Sequence, residues 1–162
     1  MKRRKLDMKL IAELLRDSKR SDRELAKALG ASQPTVTRTR TRLVKEGVIK
    51  DFCIVPDFVK LGYEIMAISS FRSKINKELV QKAKMVTMAK PNIIFAARVQ
   101  GMGMNAVVIS LHKNYTDYAK FIAEIVEEGR DDLESYGSLI ASFDDLVAKP
   151  LSLKYLAEQI GK

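Results

Sequence analysis

The sequence predicts an α+β protein: a winged helix-turn-helix over residues 1–55, a linker over 56–62, and a ferredoxin-like βαββαβ domain with a short C-terminal helix over 63–162. Three observations carry this. One helix signature ends at Gly30 and the next is capped by Ser32, so a single residue separates them, the spacing of a tight helix-turn-helix. Beyond residue 62 the apolar pattern changes to alternating strand-like and helix-like runs. Charge divides in the same region. Residues 1–50 hold 15 of the 29 Lys and Arg and 6 of the 20 Asp and Glu, so the whole formal excess of +9 sits in the first third, and the remainder balances at 14 against 14.

Composition excludes several function classes. With 162 residues, 46% of them hydrophobic, the chain can bury a core, yet no apolar run is long enough to span a bilayer. The basic residues do not back onto one continuous apolar face, which an interfacial helix needs, so no membrane partner is expected. Lys2-Arg3-Arg4-Lys5 leads into an amphipathic segment instead of a signal-peptide core, and a cytoplasmic location is expected. One cysteine, Cys53, excludes an internal disulfide, and the only histidine, His112, is too far along the chain for a zinc-type cluster. No nucleophile with a histidine base and no phosphate-cradling glycine loop can be assembled, so neither an enzyme nor a cofactor is expected. Gly101-Met102-Gly103 reads as a β-turn, and Met85, Met88, Met102 and Met104 as core or interface filler.

In chain order, Asp7 is a competent N-cap with Leu6 at the staple position, and Leu10, Ile11, Leu14 and Leu15 mark a first short helix ending by Asp17-Ser18. Ser21-Asp22-Arg23-Glu24 is a capping box, with Leu25, Ala26 and Leu29 on the inner face of the second helix. Ser32 caps the third, Pro34 is tolerated in its first turn, and Gly47 follows Lys45 as a left-handed stop. Three short helices need a further layer, and Val48-Ile49 with Phe52-Cys53-Ile54-Val55 predict a wing or exit strand. Pro56-Asp57 breaks it, and residues 58–62 read as a connector.

The second domain reads as strand 64–71, helix 76–88 with Leu79, Ala83 and Val86 inward, strand 93–99, a turn, strand 106–111, helix 115–128 and strand 136–143. Tyr118, Phe121, Ile122, Ile125 and Val126 fall on one face of the later helix. That order implies a four-stranded antiparallel sheet with both helices on one face; the other face needs a cover, and dimerisation is the expected one. Leu153, Leu156, Ala157 and Ile160 mark a C-terminal helix, a candidate for packing across a subunit boundary.

The third helix carries the chemistry. Its spacing places Val36, Leu43 and Val44 on an inner stripe and Arg38, Thr41, Arg42 and Lys45 opposite, flanked by Thr35 and Thr37. The outward set holds no carboxylate. Guanidinium groups pair with phosphate or chelate guanine O6 and N7, and short hydroxyls follow a backbone or base edge. Ser21, Arg23, Ser32 and Gln33, at the starts of the second and third helices, complete the candidate DNA-binding set. The segment at residues 2–5 reads either as an arm adding phosphate contacts or as a plain basic terminus. The charge partition favours double-stranded DNA as partner over a merely solvated face. Two rival classes stay open: a small-molecule-binding assembly module whose basic end is incidental, and a winged-helix protein that binds RNA or another protein.

Over residues 6–143 the chain resembles the Lrp/AsnC (feast/famine) family of transcriptional regulators. The residues that carry the likeness are Asp7, Leu10-Ile11, Leu14 and Asp17, then Ser21 with Glu24-Leu25-Ala26 and Gly30, then Ser32, Pro34-Thr35-Val36, Arg42-Leu43 and Gly47-Val48-Ile49. The resemblance implies a homo-dimer or higher homo-oligomer on operator DNA, with amino acids or similar small molecules as effectors. Two departures stand out. Thr39-Arg40 replaces the family's Arg-aliphatic pair, so Arg40 must lay its stem along the core while its head escapes to solvent or phosphate. Gly101-Met102-Gly103-Met104-Asn105, the candidate effector turn, lacks the acidic residues usual there, which removes an anchor for an amino acid's ammonium group.

Overall fold

The structure, a computed structural model, describes residues 5–74, 76–145 and 147–161. The basic residues Lys2-Arg3-Arg4 lie outside them. The chain forms two compact units, Met1–Val55 with Lys149–Lys162, and Pro56–Ala148. The expected domain limits therefore shift at both ends of the sheet domain.

The first unit is built on α1 (Lys5–Arg16), α2 (Asp22–Leu29) and α3 (Gln33–Lys45). The capping box at Ser21 and Glu24 forms as expected, and Gly30 closes α2 at φ 61°, a left-handed conformation that costs a glycine little. Ser32 caps α3, its Oγ accepting from the Thr35 amide at 3.4 Å. Leu10, Leu14, Leu25, Ala26, Val36 and Leu43 meet in one core, with Val48 and Ile49 packed against it. Leu10, Leu25 and Leu43 are fully buried, and burial of such a side chain stabilises a fold by about 1.5–3 kcal/mol.

Several expectations change here. Asp7 is not a cap: it sits within the first turn of α1, 2% exposed, and its carboxylate accepts from Arg42. In α3 the buried stripe is Val36, Thr39 and Leu43, and Val44 is 45% exposed. At about 100° per residue Thr39 falls about 40° from Leu43 and about 60° from Val36, on the same side of the helix, whereas Val44 swings about 80° or more away from Val36 and Leu43. No strand forms over 48–55. Within this unit that segment has no neighbouring strand to pair with, so Phe52, Ile54 and Val55 stay exposed despite their β-type side chains.

The C-terminal segment belongs to this unit and not to the sheet domain. A 3-10 turn, Leu153–Leu156, leads into α6 (Ala157–Ile160), and both lie against α1. Small residues allow the approach: Ala12 and Ala157 are buried, and a Cβ on Gly161 would come within 3.1 Å of the Ala12 methyl. Leu153 and Leu156, expected on the inner face, are exposed.

In the second unit β1 (Ile65–Ser73), α4 (Lys77–Ala89), β2 (Ile93–Gly101), β3 (Met104–His112), α5 (Tyr115–Glu128) and β4 (Leu133–Ser142) follow the expected βαββαβ order. The antiparallel sheet runs β2-β3-β1-β4, the ferredoxin-like order. The expected linker is folded into this unit: Asp57 Oδ1 accepts from the Lys60 amide at 3.2 Å, and Phe58 stacks on Phe143 at 5.2 Å. Phe121 of α5 packs on Phe71 and Val108, with Ile122 and Ile125 beside it. α4 packs far more loosely, with no buried residue, and Ala83, expected inward, is exposed. Met85, Met88 and Met102 are also exposed, at 73%, 80% and 100%, so they are not core filler.

His112 is wholly buried under α5, its Nε2 2.8 Å from Ser110 Oγ, with Tyr118 edge-on at 5.4 Å and Phe121 at 4.9 Å. Burial holds its pKa below the ordinary histidine value, and the Asp117 carboxylate, 3.8 Å from Nδ1, opposes that shift. The folded state therefore keeps the ring neutral while the unfolded chain takes up a proton below about pH 6.5. Stability from this group is present above that pH and is lost as pH falls toward the depressed folded value. Thermal melts between pH 7.5 and 5.5 should show the parent losing more stability than His112→Gln. Equal pH slopes would remove His112 as the cause.

Candidate nucleic-acid interface

The candidate surface begins with how α3 is held. Its inner residues Val36 and Leu43 are fully buried, and two ion-pair systems fix it to the other helices. Arg42 Nη2 donates to the buried Asp7 carboxylate at 2.6 Å while Nη1 reaches Glu46 at 3.1 Å. Those bonds, to Glu46 first and then Asp7, raise the Arg42 pKa and keep the guanidinium charged. On the α2 side, Thr37 Oγ1 donates to Asp22 Oδ2 at 2.6 Å, and Arg40 Nη2 lies 3.0 Å from Asp22 Oδ1. Arg40 thus ends on Asp22 and not in solvent, as its stem position alone implied.

The ten candidate residues separate accordingly. Ser21 is committed to its cap, bonded to Glu24 through Oγ and amide alike, and Ser32 and Thr35 share a 2.8 Å bond between hydroxyls. Thr37 and Arg42 are tied to carboxylates, so both position α3. Arg23, Gln33, Arg38, Thr41 and Lys45 are exposed. Among the described residues these five make no side-chain hydrogen bond or ion pair. Arg38, Thr41 and Lys45 project from the side of α3 opposite Val36 and Leu43, so one face offers two cations and a hydroxyl with no competing carboxylate. Asp7 and Asp22, which set the helix in place, were missed in the sequence because their partners lie on other helices.

The candidate effector turn is spent largely on its own architecture. Gly101, Met102 and Gly103 all have positive φ, and Met102 is fully exposed. The Gly103 carbonyl accepts from Arg72 Nη1 at 2.9 Å, and Asn105 exchanges two bonds with the Ser73 backbone, at 3.2 and 2.7 Å. These contacts pin the β2–β3 turn to the end of β1. Met104 and Asn105 line the basin beside it, which is ringed by Arg72, Lys74 and Arg98. No group of His, Cys, Asp and Glu among the described residues is placed to hold a metal ion, and no described helix is long and apolar enough to cross a membrane.

Together, a unit in which α1, α2 and α3 share one core and α3 shows an exposed cationic face, and a second unit of ferredoxin-like topology, define a helix-turn-helix DNA-binding protein. A winged helix-turn-helix DNA-binding family profile matches residues 3–50. The transcriptional regulator LrpC of Bacillus subtilis is 32% identical over 101 residues, 62% of this chain and 69% of its own. An HTH-type transcriptional regulator of Pyrococcus horikoshii is 30% identical over 126 residues, 76% of this chain and 82% of its own, and its crystal structure superposes with a TM-score of 0.79 at 25% identity, covering 94% of this chain and 98% of that one. An AsnC family transcriptional regulator from Agrobacterium tumefaciens has the same fold, with a TM-score of 0.77 at 22% identity over 96% of this chain and 99% of its own. The chain belongs to the Lrp/AsnC family of HTH-type transcriptional regulators, a DNA-binding and non-enzymatic family.

Proposed function

We propose that this regulator works in the cytoplasm as a homo-dimer or higher homo-oligomer that presents paired α3 helices to a two-fold-symmetric operator, under the control of a small-molecule effector bound by the sheet unit. The exposed, carboxylate-free face of α3, on a helix locked from behind, carries this reading. Arg38 reads a base edge, and Lys45, near the helix end, contacts phosphate. Gln33 and Thr41 follow the groove, and Arg23 touches the backbone from α2. Selection of bound sequences from random duplex DNA tests it. A recovered palindrome with half-sites about one helical turn apart supports the paired geometry; enrichment of no sequence would leave α3 without a reading role.

The sheet supports the assembly. Phe95, Ile109, Ile68 and Leu139 are successive cross-strand partners, so they form one apolar row over all four strands. Directly opposed residues share a face, and this face is opposite the one where Phe71 and Val108 meet α5. Phe95 is 50% and Leu139 75% exposed. Pairing two such rows buries both. Phe95→Asp with Leu139→Asp should convert the assembly to monomers by light scattering while leaving the fold intact. A parent that is already monomeric at micromolar concentration would sink the idea.

A further inference from the structure

We propose that the cleft beneath α4 binds a small aliphatic carboxylate. This makes specific the effector reading of the sheet unit and rests on it for its regulatory meaning. Because none of its residues is buried, α4 covers its part of the sheet without sealing it. The space left is a cavity of about 260 Å³ with an apolar wall, Leu79 and Ala83 from the helix and Val108 from the sheet. Three cations, Lys74, Lys84 and Arg98, line the same cavity.

The placement of those cations follows from the register. Arg98 pairs with Ala106, which pairs with the core residue Phe71, so Arg98 lies on the helix side of β2. Among the described residues no carboxylate lies in ion-pair range of Lys84 or Arg98, and Lys74 donates to a backbone carbonyl, that of Asp131, at 2.8 Å. Among the described residues no carboxylate lines this cavity; Glu128 and Asp132 line the neighbouring space under α4, where Lys90 lies 3.2 Å from Glu128. Glu134, in the adjoining basin, is held by Arg72 at 2.7 Å. An apolar body entering beneath α4 leaves water, and an anionic head at the mouth meets unpaired cations. A ligand carrying an ammonium group finds no counter-charge there. A volume below the usual range for drug-sized ligands, about 300–1,000 Å³, limits the occupant to a short chain.

Isothermal titration of the full-length protein without DNA tests this, with octanoate, octylamine and inorganic phosphate as probes. Octanoate should bind saturably, and octylamine and phosphate should not. Arg98→Gln with Lys84→Gln, both exposed positions, should weaken octanoate about tenfold or more. Ala83→Phe should fill the cleft and abolish binding. Absent octanoate binding, phosphate binding as tightly as octanoate, or unchanged octanoate affinity in both variants would each overturn the proposal. Ligand binding is read without DNA, so a failure of the effector reading would appear separately, as intact octanoate binding that leaves duplex affinity unchanged.

Discussion

Truncating Arg38 to alanine should cost about 1–3 kcal/mol of binding on the preferred duplex and flatten that duplex's advantage over scrambled DNA. Lys45→Ala should instead weaken both DNAs alike and lower the salt slope by about one unit, because a phosphate contact carries counterion release and no sequence. The two side chains are exposed on the same face of α3, and neither is tied to a neighbour among the described residues. Their effects on stability should therefore stay within about 0.5 kcal/mol. Titrations against both duplexes at several salt concentrations, with a melting curve for each variant, separate the roles. Should Arg38→Ala hold the specific duplex as tightly as the parent, α3 is not the reader and the basic first third is incidental.

Most of the fold was legible because local chemistry marks its boundaries. The Ser21 box, the left-handed Gly30 and the Ser32 cap delimit α2 and α3 through bonds between residues three or four apart, which a sequence displays directly. The βαββαβ order was likewise visible, since period changes locate strands and helices without knowledge of their partners. What escaped was set by distant partners. Asp7 looks like a cap until Arg42, thirty-five positions later, claims its carboxylate. Thr39 is polar and carries no apolar signal, yet its angle, about 40° from Leu43, places it on the buried stripe. Phe52 to Val55 have strand-forming side chains, but a strand also needs a neighbour, and side-chain pattern cannot reveal whether one is available. The C-terminal turns group with the helical unit for the same reason: their contact with α1 depends on small residues at Ala12, Ala157 and Gly161, which carry no pattern.

Arg42 separates positioning from reading. It was a candidate DNA contact on helical angle alone, but its guanidinium covers a carboxylate that is 2% exposed. Removing the cation leaves Asp7 buried with its charge uncompensated, which is far costlier than losing a surface pair. Arg42→Ala should lower the melting temperature of the helical unit by about 10 °C or more, in contrast to Arg38→Ala. DNA binding should fall with the fold and recover partly when assayed well below the melt. Replacing both partners, Asp7→Leu with Arg42→Met, should restore most of the stability, because a buried pair exchanged for apolar side chains of similar size is close to neutral. Circular dichroism melts of the single and double variants measure this directly. If Arg42→Ala melts with the parent and still loses specific DNA, the guanidinium reads the operator and its contact with Asp7 is incidental. If it melts early and the apolar pair rescues both folding and binding, Arg42 serves recognition only by holding Arg38 and Lys45 where the groove can receive them.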